Sequence, residues 1–388
     1  MQSIKRTTFF ISMPLGFISL IFPIYAMSFG ANGLEIGLLY SIFSIISIIM
    51  RPMVGRLIDN KGRRVGILIG VFLYLLANIN FLIASDLNWL LLARIIQSFG
   101  ASFLWISIDT YIADISDIKN RSTNYGINGQ TTNKGGFIGS FIGFYILLNN
   151  FSDNPFKAVF MIFSLTSFLA LYFGFKDIEE TNYISISNDN TKLKRFKYYK
   201  QFLVIILIKS FIVNLTTPIF LLYLQDNITN DVFRLIFLFV PATVLSMFLP
   251  RKFGQIADSS SREKIIFMGT YLVGILQIFF PFIKSYNGFM ILYIIISVVD
   301  MFYSPAYSSL IIDFVGEDKR GNSYGLYSLA SGLGAAIGPL IGAFIYENIG
   351  NHLVFYIKGM LLIALTSYVC YLYYKRINHT NKRQKLLE

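Results

Sequence analysis

Seven ionisable side chains stand inside runs otherwise apolar enough for a lipid bilayer: Arg51, Arg94, Asp109, Lys134, Lys209, Asp300 and Lys358. A charge in such a place costs about 2.5–3.5 kcal/mol on insertion scales, so each is a candidate for work on a proton or a charged solute. Asp109 and Asp300 could carry a proton. Burial disfavours a carboxylate and a nearby cation favours it, so a lysine that approaches in one state and leaves in another would switch the acid. Arg94 is a candidate for the same coupling, whereas Lys134 and Lys209 could hold an anionic substrate directly. Lys134, Lys209 and Asp300 lie roughly ten to thirteen residues into their runs, near the midplane. Arg51 reads as structural, and Lys358 as able to snorkel outward.

Helical projection groups these residues. Arg94, Gln97, Trp105 and Asp109 share a face of about 120°, and Asp300 shares one with Tyr303 and Tyr307. Lys134 and Gln130 point away from Gly136, Gly139 and Gly143, a glycine face suited to close helix packing. Lys209 aligns with Thr216 and Tyr223. The four stripes are expected to line one aqueous cavity, with Lys134, Lys209, Gln130, Gln97, Trp105, Tyr303, Tyr307 and Tyr223 as substrate contacts.

Membrane spans must position these side chains. Of 388 residues 55% are hydrophobic and 14% charged, and the mean hydropathy is +0.60. Apolar runs of bilayer length recur at 8–29, 34–57, 65–85, 88–112, 123–148 and 155–175. They recur again at 200–224, 231–253, 264–284, 287–312, 322–346 and 352–374, which makes about twelve. No cleavage site follows the first run, which is therefore expected to be a genuine span. The expected organisation is a six-helix half (1–175), a linker (176–199), a second six-helix half (200–375) and a basic tail (376–388). The linker ends in Lys194-Arg195-Phe196-Lys197-Tyr198-Tyr199-Lys200, a mix of bases and aromatics suited to an anionic lipid surface or to a solvated linker.

The +12 net charge is a topology signal rather than a nucleic-acid one. Assigning the 55–64 loop to the cytoplasm puts nearly every loop base there and leaves Lys157, Lys284 and Arg234 opposite, so both termini are expected inside. One cysteine, Cys370, excludes an intrachain disulfide and a cysteine metal cluster. No nucleophile–base set, HExxH or Walker pattern is present, so no enzyme, cofactor or metal is expected.

Between the second and third runs stands Gly55-Arg56-Leu57-Ile58-Asp59-Asn60-Lys61-Gly62-Arg63-Arg64. Gly55, Asp59 and Arg63 recur 199 residues later as Gly254, Asp258 and Arg262. At the same offset Asp114, Arg121 and Gly126 recur as Asp313, Arg320 and Gly325, and Gly139 and Gly143 as Gly338 and Gly342. One spacing shared by so many positions indicates an internal duplication. Gly55 would let a facing backbone close in, Asp59 could cap a facing helix, and Arg63–Asp114 and Arg262–Asp313 could pair. Together with Arg64, Arg121, Asp258 and Arg320, these form an expected gate latch that closes in one state and opens in another.

On these residues the chain resembles the Major Facilitator Superfamily, particularly its twelve-span drug and metabolite:proton antiporters. Gly55-x-Leu57-x-Asp59-x-x-Gly62-Arg63-Arg64 matches the family's loop signature, and Arg94-x-x-Gln97-x-x-Gly100 resembles the exporters' fourth-span motif. Gly338-Pro339-x-x-Gly342 resembles their fifth-span glycine-proline motif but stands in the eleventh span; the fifth reads Gly139-Ser140-x-x-Gly143. The resemblance implies an all-α membrane protein of two pseudo-symmetric six-helix halves, monomeric, in a bacterial plasma membrane. It implies proton-coupled export of small amphipathic compounds or metabolites. The missing proline and the midplane lysines favour the alternative, import of a nutrient or anionic metabolite; a lipid flippase is more remote. Protons, a small molecule and the bilayer are the expected partners, and nucleic acid is not.

Overall fold

A computed structural model describes residues 1–149, 154–181, 192–217, 219–229, 231–315 and 320–384. Among them are fourteen α-helices and no strand: α1 (Gln2–Met27), α2 (Gly33–Lys61), α3 (Arg63–Ile83), α4 (Leu87–Asp114), α5 (Arg121–Asn149), α6 (Pro155–Asp177), α7 (Lys192–Asn214), α8 (Ile219–Asn227), α9 (Val232–Ser246), α10 (Leu249–Ser259), α11 (Arg262–Phe279), α12 (Tyr286–Val315), α13 (Arg320–Asn348) and α14 (Leu353–Gln384). In hydrocarbon each backbone N–H and C=O must be satisfied internally, and helices achieve this within one segment. Among the described residues nine helical stretches are long and apolar enough to cross a bilayer.

The exceptions are informative. The arms of α1, Gln2–Ser19 and Ile21–Met27, meet at 59°. Pro23 stands four residues beyond Ser19, where its ring displaces a carbonyl. Pro250 likewise stands four beyond Ser246, where α9 gives way to α10. The expected eighth span is therefore two helices, whereas the seventh, Tyr199–Asn227, counts among the nine although a turn at 215–217 separates α7 from α8. Helix α5 is long enough to span, but Asn124–Lys134 is too polar for lipid and needs protein or water around it.

Packing repeats across the duplication. Helix α1 lies on α5 as α7 lies on α13, and α3 touches α4 and α6 as α11 touches α12 and α14. Two seams join the halves: α2 against α13, and α10 against α5. A Cβ at Gly139 would overlap the Met13 carbonyl, and one at Gly338 would crowd that of Phe211. Glycine therefore lets α5 meet α1 and α13 meet α7 backbone to backbone. Of the expected linker, residues 182–191 lie outside the described residues, and the run 194–200 begins α7. Of the tail, 376–384 extend α14 and 385–388 lie outside the description.

Candidate functional site

Gly62, at φ +105°, turns α2 directly into α3, a conformation that favours glycine. The turn sets Asp59 against the start of α13, where its two oxygens accept the Gly321 and Asn322 N–H groups, each at 2.8 Å. A carboxylate there satisfies orphan donors and meets the positive end of the helix dipole. Arg63 donates to Asp59 at 2.8 Å, to Asp114 at 3.0 Å and to the Ile58 carbonyl at 2.8 Å. Arg320, from the other half, reaches Asp114 at 2.6 Å.

The duplicated copy builds the same figure with the halves exchanged. Asp258 accepts the Ser122 N–H at 3.0 Å, the Thr123 N–H at 2.7 Å and the Thr123 hydroxyl at 2.6 Å, at the start of α5. Arg262 donates to Asp258 at 2.9 Å, to Ser122 Oγ at 3.0 Å and to the Ile118 carbonyl, and lies 3.8 Å from Asp313. Arg121 crosses to Asp313 at 2.6 Å. Burial works against the Asp258 charge, but the bonds from Thr123, Arg262 and Ser122 outweigh it and hold the carboxyl below its ordinary value. Glycines make both seams: a Cβ at Gly55 would strike the Gly321 carbonyl, and one at Gly254 would crowd the Ser122 backbone.

Sequence reasoning missed Glu180. Its carboxylate accepts the Arg63 N–H at 2.8 Å and the Arg64 N–H at 3.1 Å, capping α3 from beyond α6. Arg64 in turn donates to the Phe175 carbonyl at 2.9 Å. The available signal was the acidic pair Glu179-Glu180 following an apolar run at the same end as the bare start of α3.

The intramembrane residues divide among separate environments rather than one. Between the halves, Tyr324 donates to Asp109 at 2.9 Å. Gln130 donates to the Met247 carbonyl at 2.6 Å and Asn133 to that of Ser246 at 3.4 Å, gripping the α9–α10 break. Lys134 lies 5.3 Å from the centre of the Phe248 ring, and Arg51 donates to the Ser328 carbonyl at 2.8 Å. Gln130 is thus a seam residue as well as a neighbour of Lys134.

Within the N-terminal half, Arg94 is 4% exposed and lies over Phe22, Tyr40 and Phe43 at 4.4, 4.9 and 4.5 Å. Its Nη1 donates to Gln97 at 2.7 Å. Trp105 packs on the buried cluster that includes Tyr74. Within the C-terminal half, Asp300 borders a cavity of about 60 Å³ lined also by Thr270, Gln277, Tyr303 and Lys358. Lys209 sits 3.2 Å from the Tyr307 ring centre and 5.2 Å from that of Tyr303.

Two expectations need correction. Lys358 does not snorkel: it is 9% exposed and donates to Thr216 at 2.7 Å. Tyr223 lies apart from Lys209, 1% exposed, bonded to His352 at 3.1 Å and packed on Phe355. Lys209 and Tyr223 are 14 residues apart, about 21 Å along a helix axis, so a shared face does not bring them to one site.

The family model described as Major Facilitator Superfamily matches residues 7–326 and 202–388. The chain belongs to the Major Facilitator Superfamily. Superfamily members are transporters, not enzymes, and the match agrees with the duplicated loop and its two seams. An uncharacterised MFS-type transporter of Methanocaldococcus jannaschii is 25% identical, covering 94% of this chain and 96% of that one. Quinolone resistance protein NorA of Staphylococcus aureus is 21% identical over 87% and 88%. Multidrug resistance protein 1 of Bacillus subtilis is 24% identical over 94% of each. Two solved structures share the fold. The human organic anion transporter MFSD10 has a TM-score of 0.77 at 13% identity, covering 94% of this chain and 97% of its own. FucP in the outward conformation has a TM-score of 0.75 at 14% identity, covering 95% and 97%.

Proposed function

We propose that this chain is a proton-coupled exporter of small amphipathic compounds or metabolites in a bacterial plasma membrane, working by alternating access. The observation that carries the reading is the doubled latch. Asp59 and Asp258 each cap a helix of the opposite half, and Arg320 and Arg121 each cross to an acid of the opposite half. Such polar seams over glycine contacts can part and re-form without exposing a large apolar face. The loops of the latched end carry most of the bases, which assigns that end to the cytoplasm. The arrangement described here is then closed on the cytoplasmic side, in keeping with its likeness to FucP in the outward conformation.

Asp109 is the acid whose environment changes with the gate, because its Tyr324 partner belongs to the other half. Asp300 is the acid inside one half, between Lys358, Lys209 and Tyr303. A proton reaching either would alter these contacts, and Arg94, held by rings and Gln97, can influence coupling from within the N-terminal half. Export is supported by the resistance named for the Staphylococcus and Bacillus relatives. A second reading, proton-driven uptake, is favoured by Ser140 standing where the exporter motif carries proline and by the likeness to a fucose:proton symporter.

The test uses purified protein in liposomes holding a pH-sensitive dye under an imposed proton gradient, comparing wild type with Asp300→Asn and Asp109→Asn. Export predicts that an externally added substrate drives protons outward and that one of the two variants abolishes the signal. Protons entering with the compound would replace antiport by symport. Coupling intact in both variants would remove both acids from the mechanism.

A further inference from the structure

We propose that the transported compound is an amphipathic anion carrying a carboxylate, sulfonate or phosphate, anchored by Lys134 against Phe248. The proposal deepens the transport reading above and rests on it. Among the described residues, five cations stand in the interiors of membrane-length helices, Arg51, Arg94, Lys134, Lys209 and Lys358, against two acids. Asp109 accepts the Tyr324 hydroxyl, and Asp300 stands with Lys358 on the lining of one small cavity within the C-terminal half. Five cations against two acids leave a positive surplus, to which a cationic substrate would add.

The cations differ in what holds them. Arg51 donates to the Ser328 carbonyl, Arg94 to Gln97 among three rings, and Lys358 to Thr216. Lys209 lies on the face of Tyr307. Lys134 is the exception: among the described residues it meets no acid and no hydrogen-bond acceptor, only the Phe248 ring at 5.3 Å. Each residue from Ile127 to Lys134 is partly exposed, and this stretch of α5 is too polar for lipid, so protein or water must meet it. Phe248, 56% exposed at the α9–α10 break, supplies a flat apolar wall beside the ammonium. An ammonium next to an open aromatic face, joining α5 to the opposite half, suits a flat compound with one anionic group. Anion binding would also offset the cost of the unpaired charge, which favours such a ligand over a neutral isostere.

The probes are fluorescein, an anion at neutral pH, and rhodamine 123, a cation on the same tricyclic core. Binding of each to the full-length protein in lipid nanodiscs is followed by fluorescence anisotropy. Fluorescein should bind about tenfold or more tightly than rhodamine 123, a ratio set by one charged contact. Lys134→Gln should lose most of that ratio without weakening rhodamine 123, and Lys134→Arg should keep it. Rhodamine binding equal to or tighter than fluorescein, no binding of either dye, or Lys134→Gln weakening both dyes alike would each overturn the proposal. Liposome transport separates this from the broader reading. Proton-driven movement of rhodamine 123 alone would sink the anion while leaving the transporter standing. Selective, Lys134-dependent fluorescein binding without proton-driven movement would keep the anion site and remove proton coupling.

Discussion

The two latches carry the same residue types at the same spacing, yet they are not equally built. In the first, Arg63 is 4% exposed and Asp114 11%, and they stand 3.0 Å apart. In the second, Arg262 is 11% exposed and Asp313 39%, and they stand 3.8 Å apart. Glu180 locks the base of the first by capping α3, while the second relies on the Thr123 hydroxyl to strengthen the grip of Asp258 on α5. The duplication preserved which charges meet; burial and neighbours decide how firmly. Breaking a buried, fully bonded charge pair strands its partner, whereas an exposed pair is screened and contributes little.

That difference can be tested from the strongest contact downward. Arg63→Ala should cost the closed state most, about 3–5 kcal/mol, because it leaves Asp59 and Asp114 buried with fewer partners. Spin-label distances across the latched end should lengthen and the thermal midpoint should fall. Arg262→Ala should cost less, about 1–3 kcal/mol, since Asp313 is solvent-reached and Asp258, though buried, keeps three bonds from Ser122 and Thr123. Equal opening in the two variants would erase the distinction. Glu180→Gln should weaken only the first latch, by about 1 kcal/mol, through weaker bonds to two N–H groups. Hydrogen exchange at Arg63 and Arg64 should quicken while Ser122 and Thr123 stay protected.

Acidification should have the smallest effect near neutrality. The closed state holds the Asp258 carboxyl below its ordinary value, so its contribution is complete above the usual carboxylate range. It fades as pH falls through the depressed value, and the Asp258 cap on α5 should then loosen, whereas Asp313, held above its ordinary value by burial, takes its proton earlier and acts in the opposite direction. With Asp313→Asn removing the opposing group, a label distance at the second latch that shortens on acidification would contradict the sign of the Asp258 linkage.

Much of this arrangement was legible in residue order. The 199-residue offset places Asp59 and Asp258 at equivalent helix ends, and the pairs Arg63–Asp114 and Arg262–Asp313 are close in space. The intramembrane site was less legible. A helical wheel assumes a straight helix facing one neighbour, and α7 stops at Asn214 while α9 breaks before Pro250. The carbonyls freed at 246 and 247 acquired Asn133 and Gln130 as partners that no periodicity could reveal.

By itself, the sequence determined the membrane class, the duplication and the charged figure at one end. Apolar length, repeat offset and the cost of intramembrane charge are properties of the chain read locally. Only the tertiary structure decided that Lys358 turns inward to Thr216, that Asp109 answers to a tyrosine of the other half, and that Glu180 closes the first latch. The physical reason is distance along the chain. These partners lie 142, 215 and 117 residues apart, and the packing of separate helices, not the periodicity of any one, brings them together.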